Sequence, residues 1–145
     1  MKRLGFLVGK WDGEARILRG DGGTVELFQS EESEYKLDGL LLMIEGIGRN
    51  KATGKAVLQA LGIISYDDDA GTYHLRAYND GRYLETELKL VENGKGIMWS
   101  FTLGDIKTSS TLQINEIGDW TEVHEITIVS QPTRRYMELK VSPRK

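Results

Sequence analysis

Nine breaks divide this chain at nearly even intervals, and their residue types point to hairpins. They are GDGG at 20–23, DG at 38–39, ATG at 52–54, DDDAG at 67–71, NDG at 79–81, NG at 93–94, GD at 104–105, GD at 118–119 and QPT at 131–133. Asn-Gly, Asp-Gly and Gly-Asp pairs supply the positive φ that tight turns between antiparallel strands require. Nine turns imply ten strands, spaced as all-β barrels space them. Only residues 2–8 carry a helical period, over two turns at most. With no repeat, low-complexity tract or linker, residues 1–145 read as a single domain.

A two-residue loop fixes which residues face each other, so turn chemistry can be checked against side-chain pattern. With Asp80-Gly81 as the loop, Asn79 meets Arg82, Ala77 meets Leu84, Leu75 meets Thr86 and Tyr73 meets Leu88. The opposite face pairs Arg76 with Glu85 and His74 with Glu87, charges that suit each other across strands. Asn93-Gly94 pairs Leu90 with Ile97, Leu88 with Trp99, Thr86 with Phe101 and Leu84 with Leu103. Gly104-Asp105 pairs Leu103 with Ile106, Phe101 with Thr108, Trp99 with Ser110 and Ile97 with Leu112. Gly118-Asp119 pairs Ile114 with Val123 and Leu112 with Glu125. All four loops select one face as inner, and alternation carries it to Thr127, Arg135, Met137, Leu139 and Val141.

The first half is less regular. Both faces of LLLMIEGIGRN are apolar. A four-residue loop at 51–54 places Leu41, Met43, Glu45 and Ile47 inside, opposite Leu58, Ala60, Gly62 and Ile64. An Asp38-Gly39 hairpin then brings Glu32, Glu34 and Lys36 to the same face, which a dry core does not accept, so a bulge or longer loop is expected there. The register of residues 11–66 stays open at this point. Leu61 and Ile63 face outward, where apolar residues suit a homodimer contact or a covering helix.

Composition narrows the chemistry. The chain lacks cysteine, which excludes disulfides, thiol nucleophiles and Cys-ligated metals. Two histidines do not make a three-His metal site. A net charge of −3 with scattered Lys and Arg lacks the concentrated basic face of a nucleic-acid binder. No apolar run reaches the length of a membrane span, and the apolar run after Met1 is short for a signal-peptide core, so a cytoplasmic location is expected. The Asp67-Asp68-Asp69 run reads as a solvated turn, since it lacks the spaced ligands of a cation loop.

Gly9-Lys10-Trp11 at the head of a β meander resembles the G-x-W signature of the calycins, the superfamily of lipocalins and fatty-acid-binding proteins. FLVGKWDGEARI, LDGLLLMIEG, LGIISYDDDAGTYHLRAYNDGRYLE and YMELKV are similar to a group of small bacterial lipocalin-like domains. The resemblance implies an up-and-down barrel, with Gly9 and Trp11 at a base closed by the N-terminal segment. It also implies a basic residue of the last strand, Arg134 or Arg135, packed across Trp11. A more distant likeness, through the opening motif, is to nitrobindin-type haem barrels, where a histidine of the C-terminal half holds the iron. The register above puts His74 and His124 outside, a departure from that pattern, so no cofactor is expected and haem is the alternative.

The expected fold is therefore an all-β, antiparallel, calycin-like barrel of about ten strands with a short N-terminal plug. The expected function is binding of a small hydrophobic or amphipathic molecule in the interior. The candidate lining residues are Tyr73, Leu88, Trp99, Phe101 and Ser110, with Glu125, Arg135 and Glu45 as polar groups. A barrel-templated isomerase or cyclase using an interior Glu as acid or base is the alternative in another class.

Overall fold

A computed structural model describes residues 1–145 apart from Asp80, Glu92, Asn93 and Lys145. The described residues form a 3-10 helix, Lys2–Leu7, and ten strands. These are β1 (Gly9–Leu18), β2 (Thr24–Lys36), β3 (Leu41–Asn50), β4 (Ala56–Asp67), β5 (Thr72–Asn79), β6 (Arg82–Leu90), β7 (Gly96–Leu103), β8 (Ile106–Ile114), β9 (Trp120–Ile128) and β10 (Arg134–Pro143). Each strand pairs antiparallel with the next, and β1 pairs with β10, so the sheet closes into a barrel without free edges. No helix among the described residues is long and apolar enough to cross a membrane.

The base is built around the opening motif. Gly9 has φ +136°, which a side chain would strain, and this lets the chain turn from the helix into β1. Trp11, two residues on, points inward, and its indole Nε1 donates to the carbonyl of Leu7 at 3.1 Å. The helix drives Leu4 and Leu7 fully into the interior, and the hydroxyl of Tyr35 on β2 donates to the carbonyl of Met1. The ring across Trp11 is Trp120, edge-on with centroids 5.4 Å apart, not a basic side chain. Arg134 lies at the far end, donating to the carbonyl of Leu18, and Arg135 reaches Glu138 on the surface.

The hairpins from β5 to β8 have the expected register at the two-residue turns. Tyr73 pairs with Leu88, Ala77 with Leu84 and Asn79 with Arg82; Ile97 pairs with Leu112 and Leu103 with Ile106. The tips at Asp80 and at Asn93 lie outside the described residues. Between β6 and β7, pairing covers Leu88–Trp99 to Leu90–Ile97 only. The expected Thr86–Phe101 and Leu84–Leu103 pairs are not among these ladder pairs, and Thr86 Oγ1 instead donates to the carbonyl of Ser100.

Two registers differ from expectation, and each difference turns a face over. Ile114 pairs with Trp120 and Leu112 with Glu122, three residues short of the expected Val123 and Glu125. The loop is longer than Gly118-Asp119: Asn115 Oδ1 accepts from the backbone N–H of Ile117 and of Asp119, and Asn115 N–H bonds the carbonyl of Asp119. A side-chain amide that bonds its own loop stabilises a turn the Gly-Asp pair does not reveal. On β3 the inward residues are Leu42, Ile44, Gly46 and Gly48, opposite Ile64, Gly62, Ala60 and Leu58. Glu45 is outside with Glu32, its partner on β2, which removes the conflict that Glu32, Glu34 and Lys36 posed. Leu61 and Ile63 alternate with these inward β4 residues and face outward.

Candidate functional site

The ladders define one row of the wall across β5 to β9. Tyr73 faces Leu88, Leu88 faces Trp99, and Trp99 faces Ser110. The row then continues to His124, not to Glu125. Glu125 pairs with Arg135, and both are exposed on the outer surface, so these two do not form the interior pair the sequence suggests. Glu45 is exposed as well. The corrections follow from the five-residue loop before β9 for Glu125, from the β-bulge between Arg135 and Met137 for Arg135, and from the face of β3 for Glu45.

In their place the interior holds Glu122 and His124 of β9. His124 Nε2 lies 2.7 Å from Glu122 Oε2, and His124 Nδ1 lies 2.6 Å from Ser110 Oγ. The other carboxylate oxygen of Glu122 accepts from the indole of Trp120 at 3.2 Å. Ser110 and Trp120 thus hold the imidazole and the carboxylate in a continuous chain of four side chains that leads down to the base. A β-bulge after Arg135 leaves Tyr136 as an extra residue, and its ring lies 5.8 Å from that of His124. Bulges turn side chains in this way next to sites. Burial pushes the Tyr136 hydroxyl upward in pKa, and the nearby charge of Glu122 adds to it.

A second carboxylate, Glu31 on β2, was not visible in the sequence. It is 6% exposed and held well above the usual carboxylate range, first by burial and then by the charge of Glu122. The amide of Gln29, also inward, donates to it at 3.0 Å and opposes the shift. Room for both comes from β3. A Cβ on Gly46 would stand 2.6 Å from Glu31 Oε2, and one on Gly48 would stand 2.6 Å from Gln29 Oε1. Glu31 and Gln29 occupy space that side chains of β3 would fill. Gly46→Ala is therefore expected to cost about 1–3 kcal/mol through overpacking, and much less when Glu31 is also Ala; urea unfolding of the four variants measures that coupling.

The raised Glu31 also sets a pH dependence. Its folded pKa lies above the unfolded value, so the folded state binds the extra proton between the two. The stability it protects is present below the unfolded value, near pH 4.5, and is lost as pH rises toward the folded value. Glu31→Gln, which keeps the shape without the charge, is expected to melt above the parent at pH 8, with the gap closing toward pH 4.5. Thermal melts across that range check it.

The two ends of the barrel differ. Near the base the inward residues Leu42, Ile64, Leu88, Ile97 and Leu112 are fully buried or nearly so. Toward the other end Ala60, Ala77, Leu84, Trp99, Phe101, Thr108 and Ile126 also face inward by register, yet all are only half-buried. Inward-facing apolar side chains that water still reaches mark an open mouth. A groove of about 430 Å³ elsewhere, lined by Ala56, Val57, Gln59, Tyr78, Asn79 and Gly81, contains no carboxylate and no imidazole.

No protein-family model matches the chain, and no curated protein matches it. Among solved structures it is similar to "Crystal Structure of Rv2717c from M. tuberculosis", with a TM-score of 0.73 and 13% sequence identity. The similarity covers 99% of this chain and 96% of that one, and at this identity it shows the shared ten-strand fold alone.

Proposed function

We propose that this barrel is a lipocalin-like container that binds a small amphipathic molecule in its interior through the open end. The observation that carries the reading is the partly accessible, inward-facing wall of Leu84, Trp99, Phe101 and Ile126 above a buried polar chain. Apolar wall supplies burial at about 25 cal/mol per Å², and a few placed polar groups orient the ligand, the usual design of small-molecule sites. A buried acid–imidazole pair is costly to build and stabilises little by itself. Its place at the bottom of an open interior gives it a use.

Haem fits this interior poorly. His124 faces inward, but Glu122 and Ser110 engage both ring nitrogens, so an iron would have to displace one of them. Purified protein is expected to lack a Soret band. An acid–base enzyme is a second reading, favoured by two interior carboxylates in different environments, one pushed toward neutrality and one bonded to an imidazole. Native mass spectrometry of freshly purified protein tests the binding reading. A co-purifying small molecule supports it, and its loss in Phe101→Asp, with the melting temperature nearly unchanged, places the molecule at the mouth. Undiminished capture by Phe101→Asp argues against this entrance.

A further inference from the structure

The chemistry of the interior specifies one end of the ligand, given the binding reading above. Acceptors outnumber donors at the bottom of the site. Glu31 and Glu122 both face inward, from β2 and β9, and between them β1 presents Trp11, Gly13 and Ala15 and β10 presents Val141 and Leu139. Gln29 Oε1 and Ser33 Oγ, on side chains 2% and 3% exposed, have no hydrogen-bond partner. Gln29 Oε1 is a carbonyl oxygen and only accepts, and donation from the amide nitrogen to Glu31 fixes which end of the side chain it occupies. Among the described residues, Arg and Lys reach the inward-facing rows only at the rim, at Arg82 and Arg134, and Arg134 already donates to Leu18. Among the described residues no Arg or Lys in the depth of the barrel would pair with an anion, whereas a donor-rich cation would satisfy Glu31 and Gln29 Oε1 at once.

We propose that the ligand is an amphipathic amine, whose ammonium is received by Glu31 and Gln29 facing Glu122 while its apolar tail runs past Trp99 and Phe101 to the mouth. An ammonium brings three N–H donors and one positive charge, matching a carboxylate and an unpartnered amide oxygen. Binding is balanced by a proton. Burial favours the neutral acid at Glu31, so an ammonium that pairs with it draws that proton off to solvent and leaves an ammonium–carboxylate pair. The titratable group that acts on Glu31 is Glu122 from β9, which in turn bonds His124 and lies near Tyr136, while the β1 and β3 partners of Glu31 are Trp11 and Gly46, neither of which titrates. Affinity for an amine should therefore rise with pH as Glu31 gives up its proton more readily, and affinity for a carboxylate should not.

The test uses the intact chain with octylamine, octan-1-ol and octanoate, titrated calorimetrically at pH 7 in two buffers of different ionisation enthalpy. Octylamine is expected to bind about ten- to a hundredfold tighter than octanoate, the worth of charge-assisted hydrogen bonds, with release of up to one proton. Glu31→Gln, checked for folding by circular dichroism, should abolish that release and most of the preference. Octanoate binding as tightly as the amine, or amine binding without proton release, overturns the amine assignment but leaves interior binding standing. Proton release that persists in Glu31→Gln overturns the role of Glu31. Failure of all three probes to bind overturns the binding reading and this inference with it.

Discussion

Trp11→Ala is expected to lower folding stability by about 3–5 kcal/mol, in the range for large aromatic truncations in a core. Three losses combine. The indole leaves a cavity among Leu4, Leu7 and Trp120, all with 1% exposure or less. The edge-on contact with Trp120 disappears, and the carbonyl of Leu7 loses its buried donor. That last bond ties the helix to the first strand, so the variant should also loosen the plug. Urea unfolding gives the stability, and hydrogen exchange at residues 2–8 reads the plug. Trp11→Phe keeps most of the packing without the N–H and should recover much of the loss. A change below 1 kcal/mol for Trp11→Ala would mean that the base is closed by other groups.

His124→Ala is expected to cost about 3 kcal/mol, because it leaves the Glu122 carboxylate inside the barrel with only an indole for a partner. It also strands Ser110 Oγ, on a side chain 5% exposed. The pair itself contributes little net stability, since both groups lose water to form it. The double variant Glu122→Met/His124→Leu should thus be far less destabilised than His124→Ala, and equal to or above the parent if the new side chains pack well. Ligand binding separates the two roles, because the double variant keeps the fold and removes the polar floor. Equal costs for the single and double variants would show that packing of the ring, not its bonds, matters.

The fold was legible because two-residue turns leave a local record. Asp80-Gly81 and Gly104-Asp105 set registers that the strands obey residue by residue, and the G-x-W triplet marked the base. The polar part of the site was harder to read for physical reasons. The loop before β9 is organised by a side-chain amide, Asn115, and nothing in GD at 118–119 shows that it spans five residues. A three-residue slip is odd, so it exchanged Glu122 and His124 for Val123 and Glu125. Ser110, Trp99, Leu88 and Tyr73 were placed on the right row because their turns were short. Glu31 sits in QSEESEYK, polar on both faces, where alternation carries no signal. The trace of it lay on the next strand, in Gly46 and Gly48. Two glycines at alternate positions of an otherwise apolar strand leave space that a neighbour's larger side chain must fill.

Ligand binding of this kind requires an interior that admits a molecule from the open end. Backbone amide shift mapping by nuclear magnetic resonance tests this most directly, with octylamine titrated into the uniformly labelled protein at pH 8. The expected result is saturable shifts on the strands that carry Leu84, Trp99, Phe101, Ser110, His124 and Glu31, and at Trp11, the β1 partner of Glu31, with little change at Val57 and Tyr78. Shifts confined to the outer groove at Val57 and Tyr78, or no saturable shifts, would contradict it.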